Sequence, residues 1–310
     1  MKKLSKKNIM TIVKGAFLAL VVIFLVRYFQ KNIDDIKNLD FNINWGVFIA
    51  SMLFYFLYKI SLAFLWHYIT WLNNAAIDWP QAITSYLYSI LGKYIPGKVF
   101  MLAARIPGYE RKGVPIRKVT ICFFLENMCT LLGAAFLFLI SLFFFPNDLL
   151  KDYMWLTIGF VVLFFIFIHP KILNFFLRFV GKFMKKDDME ISFSYGKMVG
   201  LVLLFIVNWV VVGMGFYMLV YSIYPIPFSE MLYVGGVFGL SAIIGILSIF
   251  APSGIGVREG VMIAGLLFIM PEEYAVIISV VSRLWATVAE LLLIFVAFII
   301  QKIKGIKEKK

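Results

Sequence analysis

Residues 231–270 read MLYVGGVFGLSAIIGILSIFAPSGIGVREGVMIAGLLFIM. The only charges in these forty residues are the neighbours Arg258 and Glu259. So long an apolar run fits hydrocarbon better than water. Yet Ala251-Pro252-Ser253-Gly254 breaks it near the middle. Proline removes a backbone donor, and glycine lets the chain turn. Non-helical backbone at membrane depth survives only when it is buried in protein. The stretch is therefore either a re-entrant hairpin or two full spans. Either returns the chain to the side it left.

A second broken stretch, residues 82–104, has its interruption at Pro96-Gly97, flanked by Lys93 and Lys98. Its two pieces are too short to span, which predicts a re-entrant hairpin. Around these two regions lie six longer apolar runs, at 9–26, 45–71, 119–145, 153–169, 198–224 and 274–301. The expected fold is an all-α integral membrane protein with about six full spans and two re-entrant broken-helix hairpins. That makes six to eight helices in one polytopic domain, residues 1–310. The whole composition agrees: 62% hydrophobic, 15% charged, mean hydropathy +0.92. Soluble domains are about half apolar and a quarter charged, so a cytosolic enzyme and a disordered chain are both excluded.

The net charge of +13 reads as orientation. With the N-terminus inside, residues 1–8, 105–118, 171–197 and 302–310 hold twenty basic residues. The outside segments hold four, Arg27, Lys31, Lys37 and Lys151. The positive-inside rule then places both termini in the cytoplasm, and no nucleic-acid role follows from the charge. Lys171, Arg178, Lys182 and Lys185 share one helical face, so 171–186 is expected to lie as a basic helix on the inner leaflet.

The two broken regions also repeat each other. Pro96 and Pro252 are 156 apart, as are Pro115 and Pro271, and Glu126 and Arg283 are 157 apart. Each half, 45–145 and 198–303, reads as a span, a broken hairpin, a turn with proline, then a span with a central charge. The first hairpin opens inward and the second outward, the pattern of an inverted internal repeat.

Charges at membrane depth normally face a cavity or a partner. Lys98, Arg258 and Arg283 are the candidates for binding an anionic lipid headgroup. Glu126, Glu259 and Glu290 are the candidate charge network. Arg283 and Glu290 stand two turns apart on one face of the last span, while Lys59 either pairs or snorkels. Pro96, Gly97, Pro252, Gly254 and Gly256 are the re-entrant breaks, which would aim free N–H groups at a ligand. The bland alternative is an ion-pair network that only holds the two halves together.

Enzyme signatures are missing from the chain. Residues 92–99 read GKYIPGKV, a P-loop lookalike with Val99 where the metal-binding hydroxyl belongs and no strand before it. Cys122 and Cys129 lie about 10 Å apart along a helix, too far for a disulfide. With His67 and His169 they make no metal set, so no metal or cofactor is expected.

At its two hairpins the sequence resembles the lysylphosphatidylglycerol synthase transmembrane region, a flippase-like domain. The matching segments are Gly92-Lys-Tyr-Ile-Pro-Gly-Lys98, Arg105, Arg111-Lys-Gly-Val-Pro115 and Glu126. In the second half they are Ala251-Pro-Ser-Gly-Ile-Gly-Val-Arg-Glu-Gly260 and Arg283-Leu284. Where the family usually has an arginine after its first membrane glutamate, this chain has Asn127. The resemblance implies movement of a phospholipid or lipid-linked headgroup across the cytoplasmic membrane of a prokaryote. It implies no transferase, since residues 302–310 leave no room for the family's soluble domain. The alternative is the membrane subunit of a phosphatidylglycerol lysyltransferase working with a separate soluble enzyme. Membrane lipids are the expected partners, with a homo-oligomer or a soluble enzyme as further ones.

Overall fold

The computed structural model describes residues 43–94, 99–143, 154–183, 190–191, 193–248, 254 and 256–307. Among them are ten α-helices and no strand. The expected first span, 9–26, lies outside the described residues.

α1 (Trp45–Leu72) starts where the Asn44 side chain accepts from the Val47 N–H at 3.2 Å. Such a cap satisfies one of the helix's orphan donors. It stops at Asn73 and Asn74, the latter at φ +50°. α2 (Trp79–Ser89) has Pro80 in its first turn and runs into a 3₁₀ turn, Ile90–Tyr94. α3 (Val99–Glu110) and α4 (Ile116–Phe143) are separated by Gly113 at φ +77° and by Pro115. α5 (Met154–Phe167) has 14 residues, about 21 Å at 1.5 Å per residue. It is shorter than the 153–169 span expected, because the chain turns at Ile168-His169 and Pro170 begins α6 (Pro170–Phe183).

α7 (Tyr195–Ile223) is followed by a 3₁₀ turn, Phe228–Glu230, and α8 (Met231–Leu247). α9 (Val257–Leu266) has only 10 residues, and α10 (Glu272–Lys307) has 36. Among the described residues, five segments are long and apolar enough to cross a bilayer: α1, α4, α7, residues 228–247 and 272–299. The choice left open for 231–270 is thereby narrowed. α8 with its preceding turn has crossing length, whereas α9 rises only about 15 Å.

α7 lies at the centre, against α1, α4 and α8, and α4 also packs on α8. The backbones of α7 and α8 meet at glycine. A Cβ built on Gly213 or Gly235 would sit 3.0–3.2 Å from the other's Cα. Small residues permit this close approach where lipid supplies no hydrophobic drive between helices. α9 packs on α8, and α10 touches α1, α2 and α9.

The molecule is apolar outside and polar within. Trp45, Ile49, Leu53, Leu57, Ile60 and Phe64 recur every three or four residues along α1 and are all at least 40% exposed. Arg105, Glu126, Glu259, Glu290 and Asn208 are buried. A water-facing fold would reverse this arrangement. Trp45 and Trp71, at the two ends of α1, are both exposed, as in an interfacial aromatic belt. The protein is a multi-pass α-helical membrane protein.

Candidate functional site

The buried charges fall into three groups. In the first half, Arg105 on α3 meets Glu126 on α4 through both guanidinium nitrogens, with its Nη2 donating at 3.3 Å. Arg105 Nε donates to Ser89 Oγ at 2.9 Å. Its guanidinium lies over Trp66 at 4.1 Å and Tyr86 at 4.6 Å. Arg105 is wholly buried, each of its three guanidinium nitrogens donates a hydrogen bond, and aromatic rings lie against the planar group.

In the second half, Glu259 on α9 pairs with Arg283 on α10. The same carboxylate accepts from the Gly256 N–H at 2.6 Å, capping α9. Arg283 Nη2 donates to the Gly254 carbonyl at 3.2 Å. This pair thus pins the break itself. Gly254 stands at φ +70°, and a Cβ there would come 2.6 Å from the Gly245 Cα. Only glycine suits both that dihedral and that contact.

A third group is centred on Glu290. Glu290 on α10 accepts from Lys59 on α1 at 2.9 Å and from the Tyr55 hydroxyl at 2.9 Å. Lys93 of the 3₁₀ turn is its third partner. Glu290 is 1% exposed, so its charge is held by these donors rather than by water. Tyr55 packs on Trp285 with ring centres 4.6 Å apart, and Phe216 and Phe238 continue the aromatic wall at 4.7 Å from each other.

Arg258 differs from the other bases. Its guanidinium rests over the Phe238 ring at 4.6 Å, and its buried Nε has no hydrogen-bond partner among the described residues. It stands in the positive field of Arg283 and acts in turn on Lys59 and Lys93.

Of the residues singled out in the sequence, Arg258, Arg283, Glu259 and Glu290 come to one region beside the second break. Glu126 is held apart from them by Arg105. Lys98, Pro96, Gly97 and Pro252 lie outside the described residues. Arg105, counted among the basic residues of 105–118, is the partner of Glu126, inside α3. Arg283 pairs with Glu259, one of the candidate charge network, across the helix–helix contact. Lys59 pairs rather than snorkels, and Lys93, read only as a flank of the break, shares its carboxylate. A lone lysine in the middle of an apolar run was the signal for Lys59. Arg105 was marked only by the family resemblance, because Ile106-Pro107-Gly108 after it reads as a loop.

Among the described residues no group of three metal-ligating side chains occurs, and Cys122 and Cys129 are free and buried. What the site can do is hold charge in a low-dielectric interior among the packed helices. The family model described as Lysylphosphatidylglycerol synthase TM region matches residues 11–294. No curated protein matches the chain.

Proposed function

This chain belongs to the lysylphosphatidylglycerol synthase transmembrane-region family, and from that premise we propose that it is a lipid translocator of the prokaryotic cytoplasmic membrane rather than an enzyme. The observation that carries the reading is the net-cationic cluster of Lys59, Lys93, Arg258 and Arg283 around Glu259 and Glu290. Charges at such depth are costly unless they serve a polar path or each other. Ion pairing accounts for part of this cluster and leaves Arg258 unspent. A lipid headgroup passing between the hairpins meets these residues while its acyl chains stay outside in the bilayer.

In this reading α2–α3 and α8–α9 are the broken hairpins of an inverted repeat, both termini face the cytoplasm, and Lys98 joins Arg258 and Arg283 in receiving the headgroup. α6 lies on the inner leaflet. Phe175, Phe176 and Phe179 are exposed beside the exposed Lys171 and Arg178, a composition suited to an anionic interface. Single-cysteine labelling in a background lacking Cys122 and Cys129 tests the orientation. Labelling of position 111 from outside intact cells would overturn it.

The family's description favours a second reading, in which this chain is the membrane subunit of a lipid aminoacyltransferase with a separate catalytic partner. One experiment separates the two. The purified protein is reconstituted alone into vesicles with fluorescent phospholipids, and loss of signal to an external quencher is followed. Translocation faster than in protein-free vesicles supports the translocator. No acceleration for any phospholipid headgroup removes it.

A further inference from the structure

We infer that a groove between α5, α6 and the start of α7 is a binding site for one anionic phospholipid, with an acyl chain against α5 and the phosphate at His169 and Lys171. The groove has a volume of about 440 Å³ and is lined by Val162, Phe165, Ile166, His169, Ile172 and Tyr195. That volume lies within the range of small-ligand pockets, about 300–1,000 Å³. The first four lining residues are spaced at i, i+3, i+4 and i+7, so they form one stripe along α5 and the turn after it. The lining is apolar except at one end, where His169 and Tyr195 meet with ring centres 5.1 Å apart. The Tyr195 hydroxyl donates to the Phe165 carbonyl at 3.0 Å, which satisfies an orphan acceptor at the end of α5 and ties α7 to it. None of these residues belongs to the central charge groups.

Two observations fix the chemistry of the occupant. The first is what surrounds the groove. Trp155, Ile158, Leu163 and Phe167 on α5 are all exposed, so this helix stands in hydrocarbon and a chain in the groove is continuous with the bilayer. The second is the polar end. The Lys171 N–H donates to His169 Nδ1 at 3.2 Å, so the imidazole caps α6 and carries its proton on Nε2. That Nε2–H is a donor on a ring held by Tyr195, and it has no partner among the described residues. Lys171 follows in the first turn of α6 with its side chain exposed. The dipole of this 14-residue helix also favours an anion at the same end. A donor, a cation and a helix N-terminus at the head of an apolar groove match a phosphate at the head of an acyl chain. A soluble anion makes no use of the groove, and a neutral lipid makes no use of Lys171.

The test is native mass spectrometry of the purified protein in mild detergent, titrated with phosphatidylglycerol, phosphatidylcholine and glycerol phosphate. One phosphatidylglycerol should stay bound through detergent exchange, about fivefold more tightly than phosphatidylcholine. Glycerol phosphate, which has no chain, should not compete. Ile166→Trp fills the groove and should remove the retained lipid. Ile166 and Val162 are 50% and 53% exposed, so a larger side chain at either leaves the core unstrained, and Val162→Trp is the second occluding variant. Lys171→Gln combined with His169→Asn should abolish the preference for phosphatidylglycerol. The asparagine keeps an acceptor for the Lys171 N–H, so the cap of α6 survives the change. Lys171→Gln alone, at an exposed position, should lose part of the preference and keeps the test decisive if the double variant fails to fold. Lys197→Gln is the control, because this exposed base is two positions from Tyr195 and so on the far side of α7.

Retention that disappears with the occluding variants and loses its selectivity with the double change supports the site. Retention that survives both Ile166→Trp and Val162→Trp places the lipid elsewhere and overturns it. Equal binding of phosphatidylcholine, competition by glycerol phosphate, or an equal loss of selectivity with Lys197→Gln has the same consequence. A dimer that dissociates with Ile166→Trp assigns the groove to a second copy of the chain and removes the lipid. The readout is binding rather than transport. A protein that moves no lipid still retains this one, so failure of the translocator reading leaves the site standing.

Discussion

In the first half a short helix carries the base and the long helix after it the acid: Arg105 on α3, Glu126 on α4. In the second half a short helix carries the acid and the long one the base: Glu259 on α9, Arg283 on α10. The sequence separations are close, 21 and 24 residues. The surroundings are not. Arg105 is wholly enclosed by Ser89, Trp66 and Tyr86, whereas Arg283 keeps 15% of its side chain exposed and holds the carbonyl of Gly254. One pair is sealed and structural. The other is partly open and tied to the break, beside the unspent Arg258. Similar chemistry is therefore fully enclosed in one pair and partly open in the other.

Breaking each pair measures that difference. Arg105→Gln strands Glu126 where no water reaches it and should cost about 3–5 kcal/mol. Thermal unfolding in detergent should show a large drop, most of it recovered by adding Glu126→Gln. If the single variant were as stable as wild type, the sealed pair would not be a strut. Arg283→Gln should cost less, about 1–3 kcal/mol, because the Gly256 N–H still serves Glu259. Its double variant with Glu259→Gln should regain stability but not transport, since the break loses its tie. Full recovery of transport would place Arg283 with Arg105 as a structural residue.

The two hairpins can be compared in the same way. Gly92 and Gly254 both touch backbone, at Met101 and Gly245, but only Gly254 has a positive φ. Gly254→Ala should therefore destabilise more than Gly92→Ala, by about 1–2 kcal/mol. Equal losses would mean that contact, not dihedral, sets both sites. The smallest effect on folding is expected outside this comparison, on α6. Replacing Lys171 and Arg178 by glutamate should weaken association with anionic lipid by about 1 kcal/mol per charge and leave the unfolding midpoint unchanged. Unaltered lipid dependence would make α6 an ordinary surface helix.

Much of this arrangement was legible in the order of residues. Apolar runs of crossing length, interrupted by proline and glycine, announce spans and breaks because hydrocarbon tolerates no unpaired backbone. Glu126, Arg258, Glu259, Arg283 and Glu290 stood out for the same reason, as charges where charge is expensive. Which of them pair with which did not stand out. Arg283 and Glu290 share one helix face, which suggests kinship, yet each bonds to a different helix.

The sequence alone determined the solvent, the helical class and the candidate charges, since each depends on local composition and transfer cost. Which base meets which acid was decided by tertiary packing. Lys59, Lys93 and Glu290 come from three distant segments and meet only because α10 lies against α1 and α2. Arg105 becomes internal only because Trp66, Tyr86 and Ser89 close around it. An ion pair's energy depends on separation and on the dielectric around it, and both are properties of the packed interior rather than of any segment by itself.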